Sequence, residues 1–407
     1  MLRTVAIVGA SLGGLRAAEC LRRAGFEGRL LLVGEEDALP YDRPPLSKQY
    51  LRGEWDEERI QLRSADELAA LDLSLELGTR ATALDVENRR LELSTGKQVG
   101  FDAAVLATGA ATWRPVGWDL AGVHDLRTLA DAQELSAAMA CTERLVVIGA
   151  GFIGCEVAAT ARQRGLEVDL VEALEVPLAR SLGALAGSYC AKLQRAHGVR
   201  VHAGTAVDQL IGRNGHVRAV RLANGETLAC DLVVVGLGVR PATDWLVDSG
   251  LEIADGIVCD ERCAAAPGIY AVGDVARWPH QGERVRVEHW TNAAEQAAYV
   301  ARCLLAGESE VTPFTSVPYF WSDQYDVKLQ GAGLASPTDH AEILAGSPNE
   351  NRFVLGYRRG DHLSAVLTAS WPRMLGALRR LLVSRPTWDA AVAQVDALLA
   401  GASDRQG

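Results

Sequence analysis

The 407-residue chain holds eight cysteines, and no two of them form a CxxC pair. Cys20, Cys141, Cys155, Cys190, Cys230 and Cys303 stand singly in apolar or helical contexts, which suggests reduced, buried thiols. Cys259 and Cys263 are close together, but their spacing suits neither a redox pair nor a zinc pair. No second cysteine or histidine pair completes a site, so no metal centre is expected. Long apolar runs are also missing: nothing approaches the roughly 18 residues of a membrane span. The N-terminus lacks a secretory pattern, since Val5 to Val8 runs straight into a glycine turn. A soluble, cytoplasmic protein without a membrane partner is the expectation. Basic charge is short too, with 41 Lys and Arg against 52 Asp and Glu and a net charge of -11. That balance argues against nucleic acid or an anionic membrane as the main partner, although it does not exclude a local basic patch.

What the chain does have is glycine at meaningful places. In LVVIGAGFIGCEVA, Leu145 to Ala158, a β-branched apolar run delivers Gly149, Gly151 and Gly154 to the start of a helix. Gly149 permits the tight turn, Gly151 lets backbone amides approach a pyrophosphate, and Gly154 lets helix and strand pack closely. TVAIVGASLGGLRAA, Thr4 to Ala18, repeats the pattern with Gly9, Gly13 and Gly14. There Ser11 stands where glycine gives the closest phosphate approach; serine is small and can donate a hydrogen bond. Each clamp has a carboxylate downstream, Glu35 in the turn VGEE and Glu172 closing the next strand, where each could accept from a ribose hydroxyl. A solvated turn carboxylate is the lesser alternative for Glu35. One chain is therefore expected to hold two dinucleotides, one of which could be a flavin.

Strand and helix patterns alternate from Thr4 to about Gly109, restart at Leu145 and run to Arg240, the rhythm of two doubly wound sheets. Leu228 to Pro241 should end the second sheet, and Gly268 to Asp274 reads as a strand ending in a Gly-Asp turn. Beyond Pro313 the texture becomes aromatic and Gly-containing, with a basic amphipathic stretch at Met374 to Leu382, and the tail GASDRQG reads as frayed.

The two clamps, YDRPPLSK (Tyr41 to Lys48), LATGA (Leu106 to Ala110), GLGVRP (Gly236 to Pro241), YAVGD (Tyr270 to Asp274) and FWSDQYD (Phe320 to Asp326) occur here in one order. A chain with these motifs resembles the NADH-dependent ferredoxin reductases of bacterial cytochrome P450 and aromatic-ring dioxygenase systems, over nearly its whole length. The resemblance implies an α/β fold with two Rossmann-like, glutathione-reductase-like domains and an α+β C-terminal interface domain. It divides the chain into an FAD-binding domain (1–108 and 241–314), an NADH-binding domain (109–240) and an interface domain (315–407).

The resemblance also implies FAD contacts from Gly9, Gly13, Gly14, Glu35, Lys48, Ala81 (through its backbone), Arg127, Asp274 and Trp290, and NADH contacts from Gly149, Gly151, Gly154 and Glu172. Asp274 reads alternatively as a turn cap, Arg127 as an exposed helix-start arginine, and Trp290 as either a flavin cover or core filling. Lys48 and Glu156 are implied to pair beside flavin N5 and to act in catalysis, because a buried unpaired charge costs several kcal/mol. The alternative is a surface lysine and an ordinary helix glutamate. Disulfide reductases of this fold carry a CxxxxC pair in the first domain, whereas Cys20 is the lone cysteine of the first helix and Tyr41–Tyr50 has none.

Electrons are therefore expected to pass from FAD directly to a one-electron acceptor, a [2Fe-2S] ferredoxin that feeds a P450 or dioxygenase. NADH:rubredoxin reductase and NADH oxidase are the neighbouring alternatives, and a flavin-binding redox sensor resembling apoptosis-inducing factor is the non-enzymatic one. Tyr319, Phe320 and Trp321 fall where the resemblance places a ferredoxin-facing wall, and as core aromatics they would be equally unsurprising. Arg284, Arg286, Arg379 and Arg380 are the candidate basic groups for a docking patch near Trp321; a solvated basic face is the alternative for each.

Overall fold

The computed structural model describes residues 2–306 and 311–403 and divides into two compact units. Unit one comprises Met1–Asp42, Glu57–Ala111 and Val239–Pro318; unit two comprises Arg43–Asp56, Thr112–Gly238 and Tyr319–Gly407.

Unit one is built on a six-stranded sheet. The strand order is Ala264–Ala266, Ile269–Ala271, Ala103–Leu106, Thr4–Val8, Arg29–Val33 and Leu73–Glu76. Every pairing is parallel except the first. The central strands are apolar without alternation and wholly buried (Val5, Ala6, Ile7; Leu30, Leu31, Leu32), as a sheet covered on both faces requires. The expected alternation of strand and helix is interrupted by an antiparallel meander, Ala81–Asp85, Arg90–Leu93 and Gln98–Gly100. Its strands of three to five residues are too short to show a clear period in sequence.

Unit two carries the second parallel sheet, ordered Arg200–Ala203, Glu167–Glu172, Arg144–Ile148, Leu232–Val235 and Val123–His124. The last of these is a two-residue edge strand from before Leu145, too short to read from sequence. A second meander, Val207–Arg213, His216–Leu222 and Thr227–Ala229, also breaks the alternation. The same unit holds a five-stranded antiparallel sheet, ordered Tyr319–Gln324, Val327–Gly333, His362–Ala369, Arg352–Arg359 and His340–Ser347. Leu182, Tyr189, Cys190 and Leu193 of the Ala179–Ala196 helix pack into its face against Leu329, Phe353, Tyr357 and Leu367. The Met374 to Leu382 stretch forms the helix Pro372–Leu382, burying Met374, Leu375, Leu378 and Leu382 at helical spacing. Of the tail, Gly401–Ser403 complete the helix Trp388–Ser403, and residues 404–407 lie outside those described. No helix among the described residues is long and apolar enough to cross a membrane.

Candidate functional site

In unit one the first clamp closes on itself. Gly9 has φ +113°, and a Cβ there would lie 2.1 Å from the Ala107 carbonyl oxygen; one on Gly14 would lie 1.9 Å from the Gly9 carbonyl. Both positions therefore exclude side chains sterically. A Cβ on Gly13 would face Val272 at 3.3 Å, with Ala107 and Ala293 beyond. The first clamp, LATGA, YAVGD and the Trp290–Ala306 helix thus converge at the carboxyl ends of neighbouring parallel strands, the usual ligand-binding edge of such sheets. Ser11 is the N-cap of the Leu12–Arg23 helix and its side chain makes no cap hydrogen bond. The first-turn amides are accordingly left without a side-chain acceptor.

Glu35, just past the Arg29–Val33 strand, is 72% exposed with Arg80 at 4.0 Å. Ala81 is buried where the first meander begins. Asp274, half-buried, sits in the one-turn Gly273–Val275 segment; Gly273, at φ +74°, donates its amide to the Gln296 side chain. Trp290, half-buried, donates its indole N–H to Asp42 at 2.7 Å, so its ring is pinned at the helix start. Beside it, burial lowers the His289 pKa to about 4 against the opposing pull of Asp274, keeping the imidazole neutral.

In unit two the second clamp repeats the geometry. Gly149 has φ +96°, with the Gly236 carbonyl 2.3 Å from any Cβ, and a Cβ on Gly154 would meet the Gly149 carbonyl at 2.0 Å. Gly151 differs: a Cβ there meets nothing within 4 Å, so the protein itself does not require glycine. Gly151 is also the N-cap of the Phe152–Gln163 helix and can supply no side-chain acceptor. Glu172 accepts from the Ala150 amide at 2.8 Å and from the Leu174 amide at 2.9 Å. These bonds lock its carboxylate onto the clamp turn while each oxygen keeps a further lone pair. Arg127 precedes the capped start of the Leu129–Met139 helix, and its backbone amide donates to Asp131.

Unit two also brings Lys48 and Glu156 together. Nζ lies 2.7 Å from Glu156 Oε2, with side chains only 5% and 2% exposed. Burying the two charges is tolerable because the carboxylate has further donors, the Ser47 hydroxyl at 2.5 Å on Oε2 and the Ser322 hydroxyl at 2.7 Å on Oε1. The Ser47 carbonyl in turn accepts from Thr160, tying the PPLSK segment to the clamp helix. The family resemblance pointed to the lysine and the glutamate. The serines carried no signal of their own, since a hydroxyl becomes a carboxylate donor only through tertiary placement.

All eight cysteines are unbonded. Burial pushes the Cys155 thiol well up, and that of Cys20, on the helix of the first clamp, is also raised by burial. Among the described residues no cluster of His, Cys, Asp or Glu is suited to a metal ion.

One docking expectation needs correction. The Arg286 side chain is 12% exposed and is consumed by Asp255 at 3.2 Å and Glu288 at 2.7 Å, because the turn before the Trp290–Ala306 helix needs that charge internally. Arg284 is exposed and donates to the Cys259 carbonyl. In unit two, Arg379 lies over the Tyr319 ring at 5.4 Å, Tyr319 stacks on Trp321 at 6.0 Å, and Arg380 is exposed.

Residues 3–297 match the family model described as pyridine nucleotide-disulphide oxidoreductase, and residues 319–398 match the reductase C-terminal model. The chain is 39% identical over 389 residues to rhodocoxin reductase of Rhodococcus erythropolis, covering 94% of this chain and 90% of that one. It is 39% identical over 360 residues to the biphenyl dioxygenase system ferredoxin-NAD(+) reductase component of Paraburkholderia xenovorans, covering 87% of each. The reductase in a covalent putidaredoxin reductase-putidaredoxin complex superposes with a TM-score of 0.91 at 33% identity, over 97% of this chain and 98% of that one. The chain belongs to the pyridine nucleotide-disulphide oxidoreductase family.

Proposed function

We propose that the protein is an FAD-dependent NADH:ferredoxin reductase that works in the cytoplasm and supplies a [2Fe-2S] ferredoxin serving a cytochrome P450 or a ring-hydroxylating dioxygenase. The observation that carries this reading is two uncapped dinucleotide clamps in one chain whose cysteines form no disulfide and include no CxxxxC pair. The residues fit the cofactors. Both helix starts leave amides free for a pyrophosphate, and the space above Gly151 is open where a phosphate must approach.

Residues 1–108 and 241–314 form the FAD-binding part in this reading, 109–240 the NADH-binding part and 315–407 the interface. Gly9, Gly13 and Gly14 cradle the FAD pyrophosphate, Glu35 accepts from its ribose, Asp274 and the backbone of Ala81 contact it, and Arg127 balances its charge. Trp290, pinned by Asp42, covers it. Gly149, Gly151 and Gly154 hold NADH. When bound, FAD accepts a hydride from the nicotinamide and releases the electrons singly.

The chain's own residues then supply position and charge. Lys48, held by Glu156, places a cation that favours a negatively charged reduced flavin. Glu172 selects NADH, because a carboxylate fixed by two backbone amides accepts from a ribose 2′-hydroxyl and repels a 2′-phosphate. Ferredoxin docks at the Tyr319–Trp321 aromatics with Arg379 and Arg380, a cationic and apolar surface suited to an acidic partner.

The test is steady-state NADH oxidation by the FAD-loaded enzyme with a panel of [2Fe-2S] ferredoxins, rubredoxin and oxygen. Preferred reduction of a ferredoxin is expected; equal or faster turnover with rubredoxin or oxygen would assign a different acceptor. Charge reversal at Arg379 or Arg380 should raise the ferredoxin KM and flatten its salt dependence while leaving stopped-flow flavin reduction by NADH unchanged.

A further inference from the structure

The FWSDQYD segment folds into a directed series of buried hydrogen bonds, all within unit two. The Tyr325 hydroxyl donates to Gln194 Oε1 at 2.9 Å, and Gln194 Nε2 donates to Gln324 Oε1 at 3.0 Å and to the Cys155 carbonyl at 3.0 Å. Gln324 Nε2 donates to Ser322 Oγ at 3.4 Å, and Ser322 Oγ donates to Glu156 Oε1 at 2.7 Å. Ser322, Gln324 and Gln194 are completely buried, so water does not compete for these groups. The donor sense is fixed along the line. Both protons of Gln194 Nε2 are committed, which leaves its oxygen to accept from Tyr325, and Ser322 Oγ accepts from Gln324, which directs its own proton at the carboxylate. Donors aligned in one sense polarise each other, and the last one meets Glu156.

We propose that Ser322 is a positioning residue of the hydride-handling site, and that the Tyr325–Gln194–Gln324–Ser322 series, with Ser47 on the opposite oxygen, holds Glu156 as the carboxylate and so keeps the proton on Lys48. In a low-dielectric interior an ion pair can relax to a neutral acid and amine. Hydrogen bonds donated to the charged carboxylate oppose that relaxation. Cys155, adjacent in the clamp helix, is fully buried and its thiol stays protonated, and Asp323, next to Ser322 on the strand, is paired with Lys328 at 3.0 Å. The effect on flavin reduction rests on the reading given above, whereas the protonation state of Glu156 belongs to the protein alone.

The experiment is infrared spectroscopy of the FAD-loaded enzyme across pH, following the protonated-carboxyl stretch, with Glu156→Gln identifying the Glu156 band and circular dichroism confirming the fold. Wild type should show no such band near neutral pH. Ser322→Ala should raise the pH at which the band appears by about one to two units, a tenfold to hundredfold gain in proton affinity. Tyr325→Phe should move it in the same direction by less, and Ser322→Thr should restore the wild-type profile. Should Ser322→Ala fail to fold, Ser47→Ala removes the donor from the other oxygen and must shift the band likewise. The flavin midpoint potential should fall in the shifted variants, as a less charged Lys48 stabilises the reduced flavin less. An unchanged carboxyl band in Ser322→Ala or, if that variant does not fold, in Ser47→Ala would overturn the proposal. Failure of NADH to reduce the flavin in wild type would instead overturn the functional reading, since the band is read independently of turnover.

Discussion

The two clamps are built alike in the backbone and differ in what they leave to the ligand. Gly9 and Gly149 both take positive φ with a carbonyl within 2.3 Å of any added Cβ, and Gly14 and Gly154 both press against the carbonyl of the glycine that opens their clamp. Ser11 and Gly151 both sit at helix N-caps in extended conformation, φ -96° and -71°. Yet one carries a side chain and the other nothing. Downstream, Glu172 is bonded back to its clamp turn, whereas Glu35 stands exposed opposite Arg80. Glycines that touch protein are thus dictated by folding, while the middle position, which touches no protein in the second clamp, answers to the ligand.

The largest test of that division is Gly14→Ala beside Gly154→Ala. Each forces a Cβ to about 2 Å from a carbonyl oxygen, so each should destabilise by about 3 kcal/mol or more in denaturant unfolding. The first should lose FAD, and the second should retain FAD and lose NADH binding.

Acid should separate buried groups of the two units. His289, with its pKa lowered to about 4 by burial, binds its proton more readily when unfolded. Stability present above about pH 6.5 is lost as pH falls toward 4, by about 3 kcal/mol, and His289→Gln should flatten that window. In unit two, burial of Asp169 raises its proton affinity but hydrogen bonds from Arg200 and His202 outweigh it, leaving the pKa lowered. Its contribution is present above the unfolded value of about 4 and is lost below it. Two distinct acid steps in a pH series of unfolding curves are expected, and a single step below pH 4 would count against the neutral His289.

The downstream carboxylates come next. Glu172→Gln should narrow the NADH preference by about tenfold in kcat/KM, or 1.4 kcal/mol. Comparable kcat/KM for NADPH in wild type would contradict the role of Glu172. The smallest effect belongs to the middle positions. Gly151→Ser and Ser11→Gly should each change stability by less than about 0.5 kcal/mol, with Gly151→Ser altering only NADH affinity. A large stability loss in Gly151→Ser would show that the protein, not the ligand, requires glycine there.

The clamps and the parallel sheets were legible because their signals are local, apolar runs ending in glycine, whereas the pairing of Lys48 with Glu156 was implied only by the family resemblance of the motifs that carry them. The first meander and the edge strand Val123–His124 were not legible, because strands of two to five residues give too short a period to read. Arg286 illustrates the limit for charges, since sequence counts an arginine and only folding reveals that Asp255 and Glu288 have claimed it. By itself the sequence determined that Gly14 and Gly154 must lack a side chain, since each faces the carbonyl of the glycine that opens its own clamp, whereas the contacts that exclude a Cβ at Gly9 and Gly149 come from Ala107 and Gly236, far away in the chain. Tertiary structure alone decided the hydrogen-bond donors of Glu156. Ser47 and Ser322 are far apart in the chain, and hydrogen-bond donation depends on where a hydroxyl arrives, not on which residues flank it.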